Sequence, residues 1–590
     1  MCRIAGIINP SATPETLQSM VREMCRLQKH GGPDDEGVFS SFEHGLALGH
    51  RRLSIIDLSQ TGHQPMSFAD GRSHISYNGE IYNYLELKQE LKKLGCMFNT
   101  HSDTEVILAA FSTWGTAAFS KLNGMFAFAL FDQKNGELFL VRDAGGIKPL
   151  YYAVTKQGLA FASEVRGFQS VPYLQTKGSH WQVYLMAYRH LPEPITTLED
   201  VKPLQKGSYL KYTISTGKYN IETFLTYKYV ESISNRATAI ELITDGLQNA
   251  VKRHLIADAP IGVFLSGGLD SSIIASVAND DKKVDLNTVS IFFNEAAYSE
   301  KEFQDLLQSN LAANNFQYLL NEKDFHENLP AIINSMDMPS CDGINTWFIS
   351  KFAKESGLKA VLSGIGGDEL FGGYPSFGRI DPTLLLKKLP DLLLTSGRYT
   401  GFRRMKRLQY LTIDGPVGMY LFLRGQFVPS EIARELNANE SEIWEILRTD
   451  PQLPGINDLS AKNQASWMEM NMYMQNQLLR DADVMSMAHG VEIRVPFLDK
   501  DFVELALKIR SDIKYSGKYG KQILIDAFGS RIPQQVWQRP KMGFAFPFTE
   551  WFIDNDYAKQ YSKNHKKLKE GKMHWSQFLT LLLIENNVKA

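Results

Sequence analysis

The sequence lacks several features that would place the protein in or beyond a membrane. No apolar run reaches about 18 residues, the length that would indicate a membrane-spanning helix. The first residues do not combine a basic region with an apolar stretch, so we expect no secretion signal. Four cysteines occur in 590 residues and none forms a CxxC pair, which argues against a disulfide framework or a zinc site. These absences together predict a cytoplasmic protein.

An excess of one charge and a Walker-type loop are also missing. The formal net charge is −2, so the composition predicts neither nucleic acid nor an acidic membrane surface as a partner. The pattern GxxxxGK followed by Ser or Thr, which cradles phosphate in many nucleotide-binding proteins, does not occur. What is present is an ordinary globular composition, 44% hydrophobic and 22% charged, in a chain too long for one core. We therefore expect two or more domains.

The first 160 residues have the pattern of an α+β domain. Aromatic and branched residues mark strand-like segments at 3–8, 45–58, 74–83, 124–132 and 137–143. Two segments, 14–30 and 83–95, have apolar positions at helical spacing. The following stretch, about 170 to 225, is less regular and contains Pro192, Pro194 and Pro203. We interpret that stretch as a connection that wraps between domains.

From about residue 237 the pattern changes to helices alternating with buried strands. Segments 237–255 and 269–280 are predicted helices, and 260–268 and 286–293 are predicted strands. A further strand and glycine loop follow at 359–369, and the last 200 residues are mainly helical. This alternation predicts a doubly wound parallel sheet with a helical C-terminal part.

Cys2 has a chemical property that the other three cysteines lack. Removal of Met1 would leave its thiol and a free α-amine on one residue. The thiolate is the reactive form and has a free pKa of about 8.5. The α-amine, with a pKa of roughly 7.7–8.0, can serve as general base for the thiol directly or through one water. Cys2 is thus a candidate N-terminal nucleophile.

The residues around Cys2 resemble the class II glutamine amidotransferase domain. The similar segments are MCRIAGI (1–7), HGGPDD (30–35), GHRRLSIID (49–57), GHQPM (62–66), YNGEIYN (77–83), SDTE (102–105), GMFAFALFD (124–132) and IKPLYY (147–152). The resemblance implies an Ntn-hydrolase-like αββα sandwich, which we assign to residues 2–210. It also implies that Cys2 releases ammonia from glutamine. Two positions depart from the family pattern, because Gly31 stands where Arg is usual and Ala144-Gly145 replaces a bulkier pair.

The same resemblance assigns a glutamine site. Arg52 offers a planar fork to the α-carboxylate, and Glu80 and Asp103 would hold the α-ammonium group. The Asn78 side chain and the Gly79 backbone N–H would donate to the oxyanion, although Asn-Gly is also a common hairpin turn. The remaining two predicted contacts are backbone groups of Ile55 and Ile56.

SGGLDSS (266–272) lies between a predicted strand and a predicted helix. It resembles the PP-loop of the ATP pyrophosphatase family, which cleaves ATP between the α and β phosphates. Glycine lets backbone N–H groups approach phosphate, and the helix N-terminus adds a favourable dipole. The predicted ATP-binding residues are Leu265, Ser266, Gly267, Gly268, Asp270, Ser271, Ser272, Ile291, Ser363 and Gly364.

A second loop, SGIGGDELFGGY (363–374), supports the resemblance. Asp270 and Asp368 are the predicted Mg²⁺ ligands. Lys521 would stabilise charge on an acyl-adenylate or on pyrophosphate, although a solvated helix lysine is the ordinary alternative. The segments SMAHGVEIRVPFLD (486–499) and RPKMGFAFP (539–547) also match. We assign residues 211–590 to this ATP-dependent domain.

Both halves together resemble glutamine-hydrolysing asparagine synthetase over nearly the full chain. The implied reaction adenylates a carboxylate with Mg-ATP and delivers ammonia internally to the acyl-adenylate. Its products are a primary amide, AMP, pyrophosphate and glutamate, and the default acceptor is aspartate. A dry passage would keep ammonia unprotonated and prevent its loss. The partners expected are glutamine, ATP and the acceptor, with homodimer formation as a further possibility.

Ile365 leaves the acceptor open. The family commonly has Glu or Asp at this position and assigns it to the adenylation step, whereas isoleucine cannot transfer a proton. CDGINTWF (341–348) and YPSF (374–377) also resemble a divergent branch, whose acceptors include sugar acids and natural-product intermediates. Two rival functions are a transferase that uses no ATP, which the PP-loop disfavours, and a binding protein that has lost catalysis.

Overall fold

The computed structural model describes residues 2–68, 71–281, 285–400, 402–449, 451–543, 546–561 and 564–589. Phe544 and Ala545 of the segment RPKMGFAFP lie outside the described residues. Among the described residues, no helix is both long and apolar enough to cross a membrane.

The N-terminal part is built from antiparallel strands. The strands are β1 (Arg3–Ile8), β2 (Asp35–Ser41), β3 (Leu46–Arg52), β4 (Met66–Phe68), β5 (Ser73–Ile81), β6 (Gly124–Asp132), β7 (Glu137–Arg142), β8 (Tyr151–Thr155), β9 (Gly158–Ala162), β10 (Lys202–Pro203), β11 (Ser208–Thr213) and β12 (Lys218–Thr223). One sheet has the order β10-β8-β9-β1-β3-β2, and the other has the order β12-β11-β7-β6-β5-β4. Cys2 therefore directly precedes a central strand of the first sheet.

The two sheets pack face to face between helices. The helices are α1 (Pro14–Leu27), α2 (Tyr84–Lys93), α3 (Asp103–Trp114), α4 (Ala118–Lys121) and α5 (Trp181–Tyr188). Inward residues of β1, β3 and β9 meet those of β6, β7 and β11 in one apolar cluster. Helices α2 to α4 cover the outer face of the second sheet, and α1 packs against β1 and β3 of the first. This confirms the αββα sandwich.

Several expectations for this region were wrong. The stretch from 170 to 225 is more than a connection, because it contains α5 and the edge strands β10, β11 and β12. Strand β11 pairs with β7 and then with β12, so the second sheet extends to Thr223. The predicted boundary between residues 210 and 211 falls inside β11. Helix α3 was not predicted, and the strand predicted over 45–58 ends at Arg52.

The C-terminal part contains a parallel sheet, as predicted. Its strands are β13 (Ile261–Phe264), β14 (Asn287–Phe292), β15 (Asn314–Leu319), β16 (Ala360–Leu362) and β17 (Glu492–Arg494), in the order β15-β14-β13-β16-β17 with every neighbour parallel. The chain leaves β13 toward β14 on one side and later returns to β16 on the other. The loops after β13 and β16 therefore meet where the strand order reverses, the usual place for a ligand in such sheets.

Helices surround this sheet and form the C-terminal end. They are α6 (Arg236–His254), α7 (Leu269–Ala278), α8 (Lys301–Gln308), α9 (Glu322–Ser335), α10 (Ile344–Glu355), α11 (Gly367–Phe371), α12 (Pro375–Leu386), α13 (Asp391–Ser396), α14 (Arg403–Lys406), α15 (Gly415–Arg424), α16 (Pro429–Leu436), α17 (Glu440–Thr449), α18 (Ala461–Met468), α19 (Arg480–Met487), α20 (Lys500–Lys508), α21 (Ser511–Lys514), α22 (Gln522–Phe528), α23 (Gln534–Trp537), α24 (Phe548–Asp554), α25 (Asp556–Tyr561), α26 (His565–Lys569) and α27 (Trp575–Lys589). A π-helical segment, Glu469–Leu479, joins α18 to α19.

Candidate functional site

The Cys2 thiol lies in a nearly closed environment at the start of β1. Its side chain is buried, and Sγ lies 3.9 Å from the carbonyl oxygen of Leu53. Burial raises the pKa of the Cys2 thiol to about 11, even though the nearby Arg52 cation acts in the opposite direction. The thiol is therefore neutral near pH 7 and needs a base to become a nucleophile.

Asn78 and Gly79 lie inside β5, so their alternative interpretation as a hairpin turn is wrong. They pair with Ala127 and Phe126 of β6. Both polar atoms of the Asn78 side chain are buried without a hydrogen-bond partner in the protein. Gly79 has a φ of +154°, and a Cβ at this position would collide with the Met125 carbonyl oxygen. A buried amide left unpaired is costly, which marks Asn78 as a group kept for a ligand.

Arg52 ends β3 and fixes the loop that follows. Its Nη1 donates to Ser59 O at 2.9 Å, and its Nη2 donates to the carbonyl oxygen of Asp57. The Ile55 carbonyl oxygen accepts from the backbone N–H of Asp258 at 2.9 Å. Ile56 packs against the apolar cluster of the second sheet. The loop that is predicted to contact glutamine is thus held in part by the parallel-sheet half of the chain.

Glu80 and Asp103 both lie near this loop, but their surroundings differ. The Asp103 carboxylate accepts from Tyr77 OH at 2.8 Å and from the Ile81 N–H at 3.0 Å. Glu80 Oε1 lies 3.2 Å from Nη2 of Arg494, whereas Oε2 is buried without a hydrogen-bond partner. Burial raises the pKa of both carboxyl groups, as expected for acids that wait for a cation.

Sequence reasoning missed a buried charge cluster beside the nucleophile. Arg3 is fully buried, and its guanidinium contacts Glu164 at 2.5 Å and Asp483 of α19 at 2.9 Å. A Cβ at Gly31 would lie 2.7 Å from Cγ of Arg3. Arg3 therefore fills the space that a side chain at position 31 would need. Two signals were available in the sequence, the departure at Gly31, where Arg is usual, and the arginine that follows Cys2.

A cavity of about 580 Å³ opens at the carboxyl ends of β13 and β16. Its lining includes eight of the ten predicted ATP-binding residues, namely Leu265, Ser266, Gly268, Asp270, Ser271, Ile291, Ser363 and Gly364, together with the predicted Mg²⁺ ligand Asp368 and the predicted catalytic residue Lys521. Gly267 and Ser272 do not line it. The Ser272 hydroxyl instead donates to the Gly268 carbonyl oxygen at 2.5 Å, inside the first turn of α7.

Two lysines and two aspartates form the charged centre of this cavity. Nζ of Lys521 contacts the carboxylates of both Asp270 and Asp368, and Nζ of Lys541 lies 2.5 Å from Asp368 Oδ2. Burial raises the pKa of Asp270. Burial acts in the same direction on Asp368, but Lys521 and Lys541 outweigh it and hold the pKa of that carboxyl below its usual range.

The aspartate pair fits the demands of Mg²⁺. Asp270 Oδ1 is buried without a hydrogen-bond partner, and a Cβ at Gly367 would lie 2.6 Å from it. Glycine at this position keeps that oxygen accessible. Among the described residues, no three His, Cys, Asp or Glu side chains cluster as a metal site. Mg²⁺ commonly takes one or two carboxylates and completes its shell with phosphates and water.

Glu369 lies in α11, just after the loop that contains Ile365, and was not predicted. Both residues line the cavity. Glu369 accepts from Tyr374 OH at 2.7 Å and from the Gly366 N–H at 3.0 Å. Burial and the neighbouring Asp368 charge raise the pKa of Glu369 to about 7. The structure thus supplies a titratable carboxyl beside the isoleucine, within the motif that sequence reasoning had already singled out.

The far side of the cavity presents charges of both signs. Arg189 ends α5 with a φ of +76°, and its buried Nε has no hydrogen-bond partner. Asp342 and Asp481 line the same cavity. Burial raises the pKa of Asp481 to about 7, and its carboxylate accepts from Ser340 Oγ at 2.5 Å. A cation and two acids beside an ATP site suit a small zwitterionic ligand.

Arg494 connects the two sites. Its side chain is fully buried and contacts Glu80 at 3.2 Å and Glu492 at 2.6 Å. Its carbonyl oxygen accepts from the Ser363 N–H at 2.8 Å, at the start of the second ATP loop. One residue of β17 therefore touches the proposed ammonium-binding acid of one site and the backbone of the other.

Comparisons with known proteins agree for both halves. The family profile described as asparagine synthase matches residues 242–581, more than half of the chain, and that of the glutamine amidotransferase domain matches residues 1–225. Glutamine-hydrolyzing asparagine synthetase 1 of Bacillus subtilis (strain 168) is 32% identical, covering 93% of this chain and 88% of its own. A putative glutamine-hydrolyzing asparagine synthetase of Mycobacterium bovis is 30% identical, covering 93% and 86%. A protein named amidase chry2, from Gibberella zeae, is 27% identical, covering 89% and 84%.

Proposed function

Because this chain belongs to the family of glutamine-hydrolysing asparagine synthetases, we propose that it uses ATP to transfer the amide nitrogen of glutamine to aspartate. Its type, a glutamine-dependent ligase that forms a carbon–nitrogen bond, follows from the family. The choice of aspartate rests on one observation, that Arg189 lines the ATP cavity together with Asp342 and Asp481. Arg189 would pair with the α-carboxylate and one of the acids with the α-ammonium group.

Glutamine hydrolysis begins at Cys2. Its α-amine, freed when Met1 is removed, accepts the thiol proton directly or through one water. The thiolate attacks the amide carbon of glutamine, which Arg52, Glu80 and Asp103 hold in place. The unpaired Asn78 side-chain amide and the Gly79 N–H donate hydrogen bonds to the developing oxyanion. Ammonia leaves, and water then hydrolyses the thioester to glutamate.

Amide formation takes place in the parallel-sheet cavity. The loop residues Ser266, Gly268 and Ser271 bind the phosphates of ATP, and Lys521 and Lys541 stabilise their charge. The β-carboxylate of aspartate attacks the α-phosphorus, and pyrophosphate leaves. Asp270 and Asp368 would hold Mg²⁺, which when bound neutralises phosphate charge. Ammonia then attacks the acyl carbon, and AMP leaves with formation of asparagine.

Glu369 is the group that we assign to proton transfer in place of an acid at position 365. Ammonia that attacks an acyl-adenylate must lose a proton, and a base is most useful when its pKa lies near the working pH. The pKa of Glu369 at about 7 meets this condition. The hydrogen bond from Tyr374 keeps its carboxylate oriented.

The same chemistry on a different carboxylate is the second candidate. Ile365 and the apolar residues Ile349, Phe548 and Trp575 line the cavity together with the charged residues. This mixed lining favours an acceptor with an apolar portion, such as a natural-product intermediate, over the more polar sugar acids.

Four further assignments belong to the proposal. We place the domain boundary near residue 225, because β11 and β12 complete the second sheet and the first family profile ends there. The use of Mg²⁺ rests on the aspartate pair. A cytoplasmic location rests on the scarcity of cysteine, and a homodimer rests on the family resemblance.

A labelling experiment tests the proposed transfer. Purified protein is incubated with ATP, Mg²⁺, aspartate and glutamine that carries ¹⁵N in its amide group. We expect the label in the side-chain amide of asparagine, measured by NMR. Label found only in free ammonia, with aspartate unconsumed, would exclude aspartate as the acceptor.

A further inference from the structure

A run of large apolar side chains is exposed on the helical part, at some distance in sequence from both sites. Six of those exposed in the described residues fall within the 21 positions from 385 to 405. Leu392 is 81% exposed, Phe402 77% and Leu385 67%. The other three members are Leu389, Leu393 and Met405. We call these six residues the apolar face; exposed apolar groups at this density commonly mark an interaction surface.

Buried neighbours hold the apolar face in place. Leu394 of α13 and Ile380 of α12 are buried in the main core, while Leu392 and Leu393 of α13 point outward. Helices α13 and α14 both pack against residues 407–412, and the Met405 backbone lies directly over Gly397. The exposed side chains are therefore presented by an anchored scaffold.

Basic residues alternate with the apolar face along the sequence. Between positions 385 and 407 the sequence has seven Lys or Arg residues and one acid, in a chain whose net charge is −2. Lys388 and Arg404 are exposed. Lys387 donates to the Gly415 carbonyl oxygen at 2.9 Å and Arg407 donates to that of Gly425 at 2.9 Å, which ties this surface to α15. The net charge of the whole chain had hidden this local excess of positive charge.

We propose that the apolar face, together with the exposed Lys388 and Arg404, binds the surface of an anionic lipid membrane. The partner must offer negative charge and an apolar phase side by side. Anionic headgroups would pair with Lys388 and Arg404, and the acyl boundary beneath them would take up Leu392 and Phe402. A second copy of this chain is the alternative partner. It could bind here only through a surface that is acidic and that also buries the exposed leucines. The attachment is peripheral and does not depend on which carboxylate the protein amidates.

Vesicle co-sedimentation of the full-length protein tests this proposal. We expect it to pellet with vesicles that contain phosphatidylglycerol, to remain in solution with pure phosphatidylcholine, and to be released by high salt. The double variants Leu392→Ser/Phe402→Ser and Lys388→Glu/Arg404→Glu should each lower the bound fraction about tenfold. Leu94→Ser/Met97→Ser, which changes two exposed side chains around the end of α2, is the matched control and should bind like wild type.

Three results would overturn the proposal. The first is absence of wild-type binding to phosphatidylglycerol vesicles. The second is binding by Leu392→Ser/Phe402→Ser and by Lys388→Glu/Arg404→Glu that equals wild-type binding, provided that the glutaminase activity of both variants shows them folded. The third is a lipid-free assembly of wild type, detected by light scattering, that Leu392→Ser/Phe402→Ser converts to smaller species. That last result would make the apolar face an interface between copies of this chain.

Discussion

At the scale of single residues, the proposed chemistry depends on buried polar groups. The Cys2 thiol is buried and neutral, the Asn78 amide has no hydrogen-bond partner, and Glu369 titrates near neutrality. Burial of such groups costs free energy in the protein without ligand, and groups of this kind are concentrated at functional sites.

Replacement of the nucleophile should separate the two reactions. Cys2→Ala should abolish amide formation from glutamine, because no other thiol has an α-amine beside it. The variant should keep wild-type synthesis from added ammonium salt, since the ATP cavity is untouched. Both rates are measured by pyrophosphate release. If glutamine hydrolysis survives in the variant, Cys2 is not the nucleophile. Hydrolysis of glutamine by the wild type is the result that would exclude a binding protein without catalytic activity.

The role of Glu369 predicts a pH dependence. Because its pKa is raised to about 7, the carboxylate that can accept a proton is lost as the pH falls through 7. Glu369→Gln should lower kcat for ammonium-dependent synthesis about 100-fold or more at pH 8. The concentration of free ammonia also changes with pH, but it affects both proteins equally and drops out of the ratio of their kcat values. That ratio, wild type over variant, should rise as the pH increases through 7. A constant ratio would leave Glu369 with a structural role only.

The sequence was sufficient to name those candidate site residues whose proposed roles follow from local motifs. Cys2, Asn78, Asp270 and Asp368 all lie in short segments where neighbours along the chain supply the context. Arg189 and Asp481 could not be found in this way, because the cavity joins positions that are almost 300 residues apart. Their meaning comes from proximity in space, which no local spacing encodes.

At the scale of secondary-structure elements, Arg3 ties β1 to α19. Replacement of one member of a buried ion pair leaves its partners uncompensated, so Arg3→Met should destabilise the protein by about 3–5 kcal/mol. The control is Arg26→Ala, which removes an exposed pair with Glu23 and should cost less than about 1 kcal/mol. Denaturant unfolding measures both values, and similar small losses would contradict the cluster's structural role.

A second prediction at this scale follows because the Arg3 side chain fills the space that a side chain at position 31 would need. Gly31→Arg alone should be destabilising, because its side chain would overlap Arg3. Combined with Arg3→Gly, the same change should recover part of the lost stability, since position 31 can then point an arginine toward Glu164. A double-mutant cycle measures this coupling, and strict additivity of the two losses would refute it.

Whether a helix or strand could be predicted depended on whether only one of its faces is buried. Helix α1, with one buried face, was found from its apolar spacing. Helix α3 was missed because residues 103–111 are all buried, which removes the amphipathic pattern. Strand β12 was missed for the opposite reason, since all of its side chains are exposed and no alternation remains.

At the scale of the whole molecule, Arg494 is positioned to couple the two reactions. Arg494→Lys would keep one positive charge but cannot reach Glu80, Glu492 and the nearby carbonyl groups at once. We expect the amount of glutamate formed per pyrophosphate to rise above one, because glutamine would be hydrolysed without amide formation. Measurement of both products in one reaction tests this, and an unchanged ratio would show that coupling runs elsewhere.

The division into an αββα sandwich and a parallel-sheet domain was predictable from the change in pattern along the chain. The contacts between the halves were not. Arg3 with Asp483 and Glu80 with Arg494 are separated by more than 400 positions, and each residue looks ordinary in its own segment. The fold class follows from local periodicity, whereas the interface follows only from the assembled structure.

The most direct test of the central claim is acceptor-dependent pyrophosphate release by wild-type protein with ATP, Mg²⁺ and glutamine. Aspartate, sugar acids and apolar-substituted carboxylates are compared, with Cys2→Ala as the control for ammonia supply. The proposed function predicts pyrophosphate release that saturates with aspartate and stops in the variant until ammonium salt is added. Release that ignores aspartate but responds to another carboxylate would contradict the acceptor assignment, and no release with any acceptor would contradict synthetase activity itself.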